Sequence, residues 1–282
     1  MTDAIEHVSD TAFWVASFRA LESERPDAVF SDPLARVLVG EKGDRIAKSI
    51  GGARTMAFIM VARTSAIDGL ILSAIERGVD TVLNLGAGLD TRPYRMKLPA
   101  SLRWIEADFP RMIDFKNDKL AGEQPVCGLE RVGIDLADRE ARRALLARVS
   151  GSTRAALVIT EGVITYLSAA EAGRLAEDVH AEASLRFWIQ DYYSARVRRR
   201  QPRWRRKMRA APLLFSAPDW FGFFGKYGFH ALEKVSIAAE ARRIRRRPPW
   251  PWSVLVYVMP ARWLNRDDGS LGYTLLERGA VT

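Results

Sequence analysis

The residues best placed to do chemistry in this chain are a glycine turn, Asn84-Leu85-Gly86-Ala87-Gly88-Leu89-Asp90, and the acids Glu106, Asp108, Asp135 and Glu161. Glycine at a turn lets a ligand approach the backbone where a Cβ would otherwise stand. A dinucleotide fingerprint, G-x-G-x-x-G, requires a third glycine at position 91, which is threonine here. The pattern Gly86-Ala87-Gly88-Leu89-Asp90 instead favours a nucleoside without a pyrophosphate lying across the turn. Glu106 lies 20 residues beyond Gly86, where a carboxylate accepts the hydroxyls of a ribose, and Asp108 is two residues further on. Only one of these two is needed for that task; the other reads as a solvated acid at a strand end. Asp135-Leu136 suits an adenine, the carboxylate accepting from the exocyclic amine and the leucine covering a ring face.

These candidates share a position in the pattern, because each stands where an apolar run gives way to polar or glycine residues. The runs cover 81–85, 102–105, 131–134 and 155–160, with helical stretches expected over 111–121, 138–149 and 169–183. That alternation is the sequence form of an α/β fold with a largely parallel sheet, in which ligands collect beyond the carboxyl ends of the strands. Upstream, Ile67, Leu70, Ile71, Ala74 and Ile75 form one apolar helix face, with Ser65 and Asp68 marking its start and Gly78 its end. Further strands are expected over 185–190, 229–235 and 253–259, and a helix over 219–227, for a seven-stranded, mostly parallel sheet. The organisation read from this is a single domain over 1–282. It has a helical N-terminal cap (1–60), a core (61–194), a helical basic insertion (195–228), and C-terminal strands and tail (229–282).

At 282 residues and 48% hydrophobic content, the chain can bury a substantial core. Its formal net charge of +9 invites a nucleic-acid reading, but the positive charge is local. Nine basic residues fall in 196–209 and five in 242–247; without these fourteen charges the remainder stands at −5. The single cysteine, Cys127, forms no internal disulfide, and no Cys/His spacing suggests a structural metal, so a reducing cytoplasmic setting is expected. Charged residues throughout the first 30 positions exclude a signal-peptide core, and no run of about 18 uncharged apolar residues suggests a membrane span.

Six ordered motifs carry a family resemblance: ASFRALESERPDAVFSDP from Ala16, Arg63-Thr64, LNLGAGLDTRPYRM from Leu83, WIEADFP from Trp104, GIDL from Gly133 and TEGVITYL from Thr160. Over most of residues 10–260 the chain resembles the leucine carboxyl methyltransferase family, in its bacterial branch that includes polyketide O-methyltransferases. The resemblance implies a class I, Rossmann-like methyltransferase fold and S-adenosyl-L-methionine as cofactor. It further implies that Arg63 pairs with the methionine carboxylate and that Gly86 and Gly88 contact the methionyl and ribose parts. Glu106 or Asp108 would bind the ribose, Asp135 and Leu136 the adenine, and Glu161 would face the methionine moiety near the reaction centre.

Methyl transfer from sulfur is an in-line displacement, so the protein must mainly align a nucleophile and exclude water, with no metal required. A carboxylate acceptor, as in the family's namesake, is ionised at neutral pH and needs no base; a phenol or enol of secondary metabolism would benefit from one. His7, His180 and His230 are the only histidines, and none stands at a strand end named above. The expected acceptor is therefore a small organic or polyketide-like acid, converted to a methyl ester. Candidates for handling it are Tyr166 beside Glu161, Arg19, Tyr192 and Tyr193. The basic insertion reads as a solvated helix, a dock for an acidic carrier protein or anionic membrane, or, with Trp204, an RNA patch. The alternatives are a phenol or enol O-methyltransferase of secondary metabolism, a non-catalytic nucleic-acid-binding protein on the same fold, disfavoured by the acidic remainder, and an NAD-dependent oxidoreductase, disfavoured by Thr91.

Overall fold

Strands covered on both faces carry near-continuous apolar runs rather than alternating ones. The two central strands of this protein, β1 (Thr81–Leu85) and β4 (Ala156–Thr160), are buried at every position. The computed structural model describes residues 10–49, 53–193, 212–215, 217–246 and 271–280. The other strands are β2 (Arg103–Asp108), β3 (Gly128–Gly133), β5 (Leu185–Tyr193), β6 (Phe229–Ser236) and β7 (Leu271–Arg278), in sheet order β3-β2-β1-β4-β5-β7-β6. Strands β1 to β5 pair in parallel, and β7 lies antiparallel between β5 and β6. Strand order reverses between β1 and β4, so a crevice opens at their carboxyl ends, the switch point at which such sheets bind ligands.

Alternation along the strands divides the core. Leu83, Val158 and Trp188 face Leu146 of α6 (Arg139–Ser150) and Leu175 of α7 (Ala169–His180). Val82, Leu157 and Ile189 face Ile67, Leu70 and Ile71 of α3 (Ala53–Glu76). A third cluster joins α1 (Asp10–Ser23) and α2 (Pro33–Ser49) to Met60 of α3 and to Leu89, which lies just past the glycine turn. Local chemistry starts the helices where they are needed. Asp138 caps α6 through the backbone N–H groups of Glu140 and Ala141, and Ser168 with Glu171 forms a reciprocal capping box on α7. Short helices α4 (Arg92–Arg95) and α5 (Pro110–Lys119) follow β1 and β2, each with proline in its first turn.

Several expectations change. Ser65 does not start a helix: α3 runs from Ala53, because Ile59 and Met60 extend its apolar face onto the N-terminal cluster, and Ser65 instead accepts from Arg243. The third strand begins at Gly128 rather than 131. The helix expected over 219–227 is α8 (Trp220–Gly225), capped by Asp219. The seventh strand of the sheet is Leu271–Arg278; the stretch 253–259 expected for it, and the basic insertion 196–209, lie outside the described residues. By length and hydropathy, Thr55–Glu76 is apolar enough to cross a bilayer, yet 56% of its apolar window is buried within the protein, as a core helix is. The described part of the second basic segment is folded onto the protein. It supplies the end of α9 (Ile237–Arg243), and Arg246 then clamps Glu22 and Asp27 at 2.5 and 2.6 Å.

Candidate functional site

The glycine turn sits at the crevice. Gly86 and Gly88 have φ of 71° and 47°, in the left-handed region where a side chain is strained. A Cβ on Gly86 would stand 2.6 Å from Val163 Cγ2, and one on Gly88 would stand 3.1 Å from Ala12 Cβ of α1. The Gly86 and Ala87 N–H groups both donate to the Ala107 carbonyl. Asp90 accepts from Asn84 Nδ2 at 2.8 Å and from the Arg92 backbone and guanidinium at 3.0 Å each, so its carboxylate is used in holding the turn. Gly86→Ala is therefore expected to lower stability by about 1–3 kcal/mol and to weaken ligand binding at the crevice, measured by urea unfolding and calorimetry on one preparation.

Around the turn lies a cavity of about 600 Å³, the size of a small-molecule site. Asp108 lines it, accepting from the Gly88 N–H at 2.6 Å and the Phe109 N–H at 2.7 Å. Burial pushes the Asp108 carboxyl up, and those two N–H groups oppose the shift. Glu106 does not line the cavity. It is fully buried, its Oε2 paired with Lys116 Nζ at 2.7 Å and Arg131 Nε at 2.9 Å. The two acids share a strand face but differ in depth by two residues, roughly 6–7 Å along the strand. Asp135 and Leu136 line the cavity, with Asp135 accepting from the Ala137 N–H.

At the other wall, Arg63 of α3 donates from Nε to Glu161 Oε1 at 2.5 Å, and Arg92 donates from NH1 to Glu161 Oε2 at 2.8 Å. Burial alone would raise Glu161, but the Arg92 and Arg63 guanidinium groups hold its carboxyl well below the usual carboxylate range. Glu161 is thus a poor proton acceptor. Arg92, only 3% exposed, also pairs with Asp68 at 2.7 Å and Asp90 at 3.0 Å. Asp68 in turn takes Arg95 at 2.7 Å, which approaches Asp32, the partner of Arg19 at 2.8 Å. The result is a chain of alternating charges behind the cavity. Sequence reasoning assigned no role to Arg92, although it stands inside the LNLGAGLDTRPYRM motif.

The remaining expectations divide. Arg19 lines the cavity, but its guanidinium is taken by Asp32 and by the Leu89 carbonyl; it ties α1 to the turn rather than waiting for a substrate. Tyr166 lines the cavity from a 3-10 turn over Ile164–Tyr166, hydrogen-bonded to Thr11, and burial pushes its phenol up. Tyr192 is not there: it points to the opposite sheet face and packs 5.2 Å from Phe221, because adjacent strand residues alternate. Tyr193 does line the cavity, as do Leu271 and Tyr273 of β7. Asp191, buried between these elements, accepts from the Gly162 N–H at 2.8 Å, and burial pushes its carboxyl up. The strand-end rule that found the other acids also applies to Asp191 at the end of the fifth strand. His180 lies on α7, hydrogen-bonded to the Gly279 carbonyl at 3.0 Å and absent from the cavity lining. His7 lies outside the described residues. Among the described residues no group of three His, Cys, Asp or Glu is arranged to hold a metal ion.

Residues 12–180 match the family profile described as leucine carboxyl methyltransferase. A Parafrankia sp. (strain EAN1pec) protein named for S-adenosyl-L-methionine-dependent methyl transfer is 40% identical over 182 residues, covering 61% of this chain and 58% of that protein. A similarly named protein of Mycobacterium sp. (strain KMS) is 34% identical over 203 residues, covering 66% of this chain and 67% of its own. The match thus spans less than two thirds of the Parafrankia protein's length. The fold is that of a DUF574 family protein from Streptomyces avermitilis, with a TM-score of 0.58 at 14% identity over 93% of this chain and 96% of that one. A structure from Thermobifida fusca named for a methyltransferase gives a TM-score of 0.58 at 16% identity, over 99% and 97% of the two chains.

Proposed function

Because the chain belongs to the leucine carboxyl methyltransferase family, we propose that it is an S-adenosyl-L-methionine-dependent O-methyltransferase that converts a small, largely apolar carboxylic acid to its methyl ester. The observation that carries this reading is a single cavity that begins at the glycine turn and Asp108 and continues between apolar walls that include Trp14, Val15, Met56, Ile59 and Met60. The first half fits the cofactor. The Gly86–Gly88 backbone lies open on the cavity, Asp108 offers lone pairs to ribose hydroxyls, and Asp135 with Leu136 meets the adenine. Arg63 and Glu161 present opposite charges side by side, matching the carboxylate and ammonium of a methionine zwitterion.

When bound, the cofactor supplies an electrophilic methyl group on sulfur. The chain's own residues must then align an acceptor oxygen and keep water out. Helix α1 covers the site, with Thr11, Ala12, Trp14 and Val15 on the cavity and Arg19 holding the helix against the turn. Glu161, fixed as an anion between two guanidinium groups, and Tyr166, kept a neutral phenol by burial, both accept protons weakly. That arrangement suits an acceptor ionised without help, and a carboxylic acid with a reference pKa of about 4 is such an acceptor. A phenol or enol would need a base at the reacting oxygen.

The test is a screen of carboxylic acids with methyl-labelled cofactor. The labelled product is expected to release methanol on alkaline hydrolysis, and kcat/KM to stay level from about pH 6 to 9. An alkali-stable product, with a rate that climbs toward the phenol pKa of about 10, would establish ether formation instead.

A further inference from the structure

Strands β5 and β7 bring together a polar group that the cofactor half of the cavity leaves unused. Asp191 and Tyr273 are directly paired across the ladder, as are Tyr193 and Leu271. Residues opposite each other, or two apart on one strand, share a face, and of these four Asp191, Tyr193 and Tyr273 interact electrostatically with Arg63. Tyr193, Leu271 and Tyr273 line the cavity. Tyr273 is only 1% exposed, and neither its hydroxyl nor that of Tyr193 has a hydrogen-bond partner among the described residues. Beside them, Asp191 Oδ2 is buried without a hydrogen-bond partner among the described residues. Buried polar groups are nearly always satisfied, so unpartnered hydroxyls on a cavity mark a place a ligand completes.

We propose that Tyr193 and Tyr273 form a two-donor fork that binds the carboxylate of the methyl acceptor, with the acid's apolar body lying against Ile59, Met60 and Leu271. The proposal rests on the reading of this cavity as a carboxyl methyltransferase site. Its chemistry follows from what the neighbouring cations already do. Arg92 is taken by Asp68, Asp90 and Glu161, and Arg63 by Glu161 and, on the reading above, by the methionine carboxylate of the cofactor, which leaves neutral donors for the acceptor. A neutral donor holds an oxyanion less tightly than a guanidinium does, and so leaves more negative charge on the oxygen that attacks. Burial, reinforced by the Asp191 carboxylate, pushes both phenols up, so they stay protonated donors throughout the neutral range. The fork therefore selects acids over alcohols of the same length.

The test is calorimetric titration of S-adenosylhomocysteine-loaded protein with octanoate and with 1-octanol. The protein is expected to prefer octanoate by at least about tenfold. Tyr193→Phe and Tyr273→Phe should each weaken octanoate by about tenfold, the loss of one hydrogen bond to a charged group, while leaving 1-octanol and S-adenosylhomocysteine affinities unchanged. Tyr192→Phe, on the opposite sheet face, should change none of the three. Retained octanoate preference in both fork variants would overturn the proposal, as would wild-type protein that binds S-adenosylhomocysteine but does not favour octanoate. Failure of the wild-type protein to bind S-adenosylhomocysteine would instead overturn the reading of the cavity on which the fork rests.

Discussion

Arg92→Leu is expected to be the most damaging single substitution at the site, lowering stability by about 3–5 kcal/mol and removing cofactor binding from whatever remains folded. Arg92 bridges Asp68, Asp90 and Glu161 from a position 3% exposed, so its loss leaves three carboxylates crowded in low dielectric. Arg92→Lys should rescue little, because one ammonium does not reproduce a planar fork that spans three partners. Urea unfolding measures the loss, and a double-mutant cycle with Glu161→Gln isolates the coupling. The pH dependence has a defined sign. Glu161 has a folded pKa depressed below its ordinary value, so its contribution is present above that value and lost as pH falls through the depressed one. Removing Arg92 takes away the largest contribution to the depression, so acid unfolding of the variant should begin at a higher pH. Unchanged acid stability would show that Arg63 alone holds the carboxylate.

Asp108→Ala and Glu106→Leu should separate binding from folding. Asp108 faces the cavity with two backbone N–H bonds and lone pairs to spare, so its removal should weaken S-adenosyl-L-methionine by about 100-fold or more, as expected for lost hydrogen bonds between a charged group and two ribose hydroxyls. The stability cost should be near 1 kcal/mol. Glu106→Leu should do the reverse. It strands Lys116, fully buried, and Arg131, 11% exposed at its side chain, and should cost about 3–5 kcal/mol while the folded fraction keeps its affinity. Calorimetry and urea unfolding on the same preparations decide it; affinity lost at Glu106 and kept at Asp108 would reverse the assignment of the ribose.

Much of this architecture is legible in the linear pattern. Parallel strands buried on both faces leave uninterrupted apolar runs such as Thr81–Leu85, and a left-handed turn demands glycines such as Gly86 and Gly88; both are local demands, met by adjacent residues. The strand ends followed, and with them Asp108, Asp135 and Glu161. Residue types and spacing do not say which groups meet across the fold. Glu106 and Asp108 look alike in the sequence, and only Lys116 from α5 and Arg131 from β3 show which of them is fully buried. Arg92 became the hub of the charge network through partners 24 and 69 residues away. Tyr192 and Tyr193 are neighbours in the chain, and strand alternation places only the second on the cavity, opposite a β7 strand whose Tyr273 the pattern did not flag. Periodicity along the chain therefore set the sheet and the turn, because those depend on neighbouring residues. The tertiary structure decided which charges are paired and which hydroxyls face the cavity, because pairing and burial depend on what the rest of the chain places opposite them.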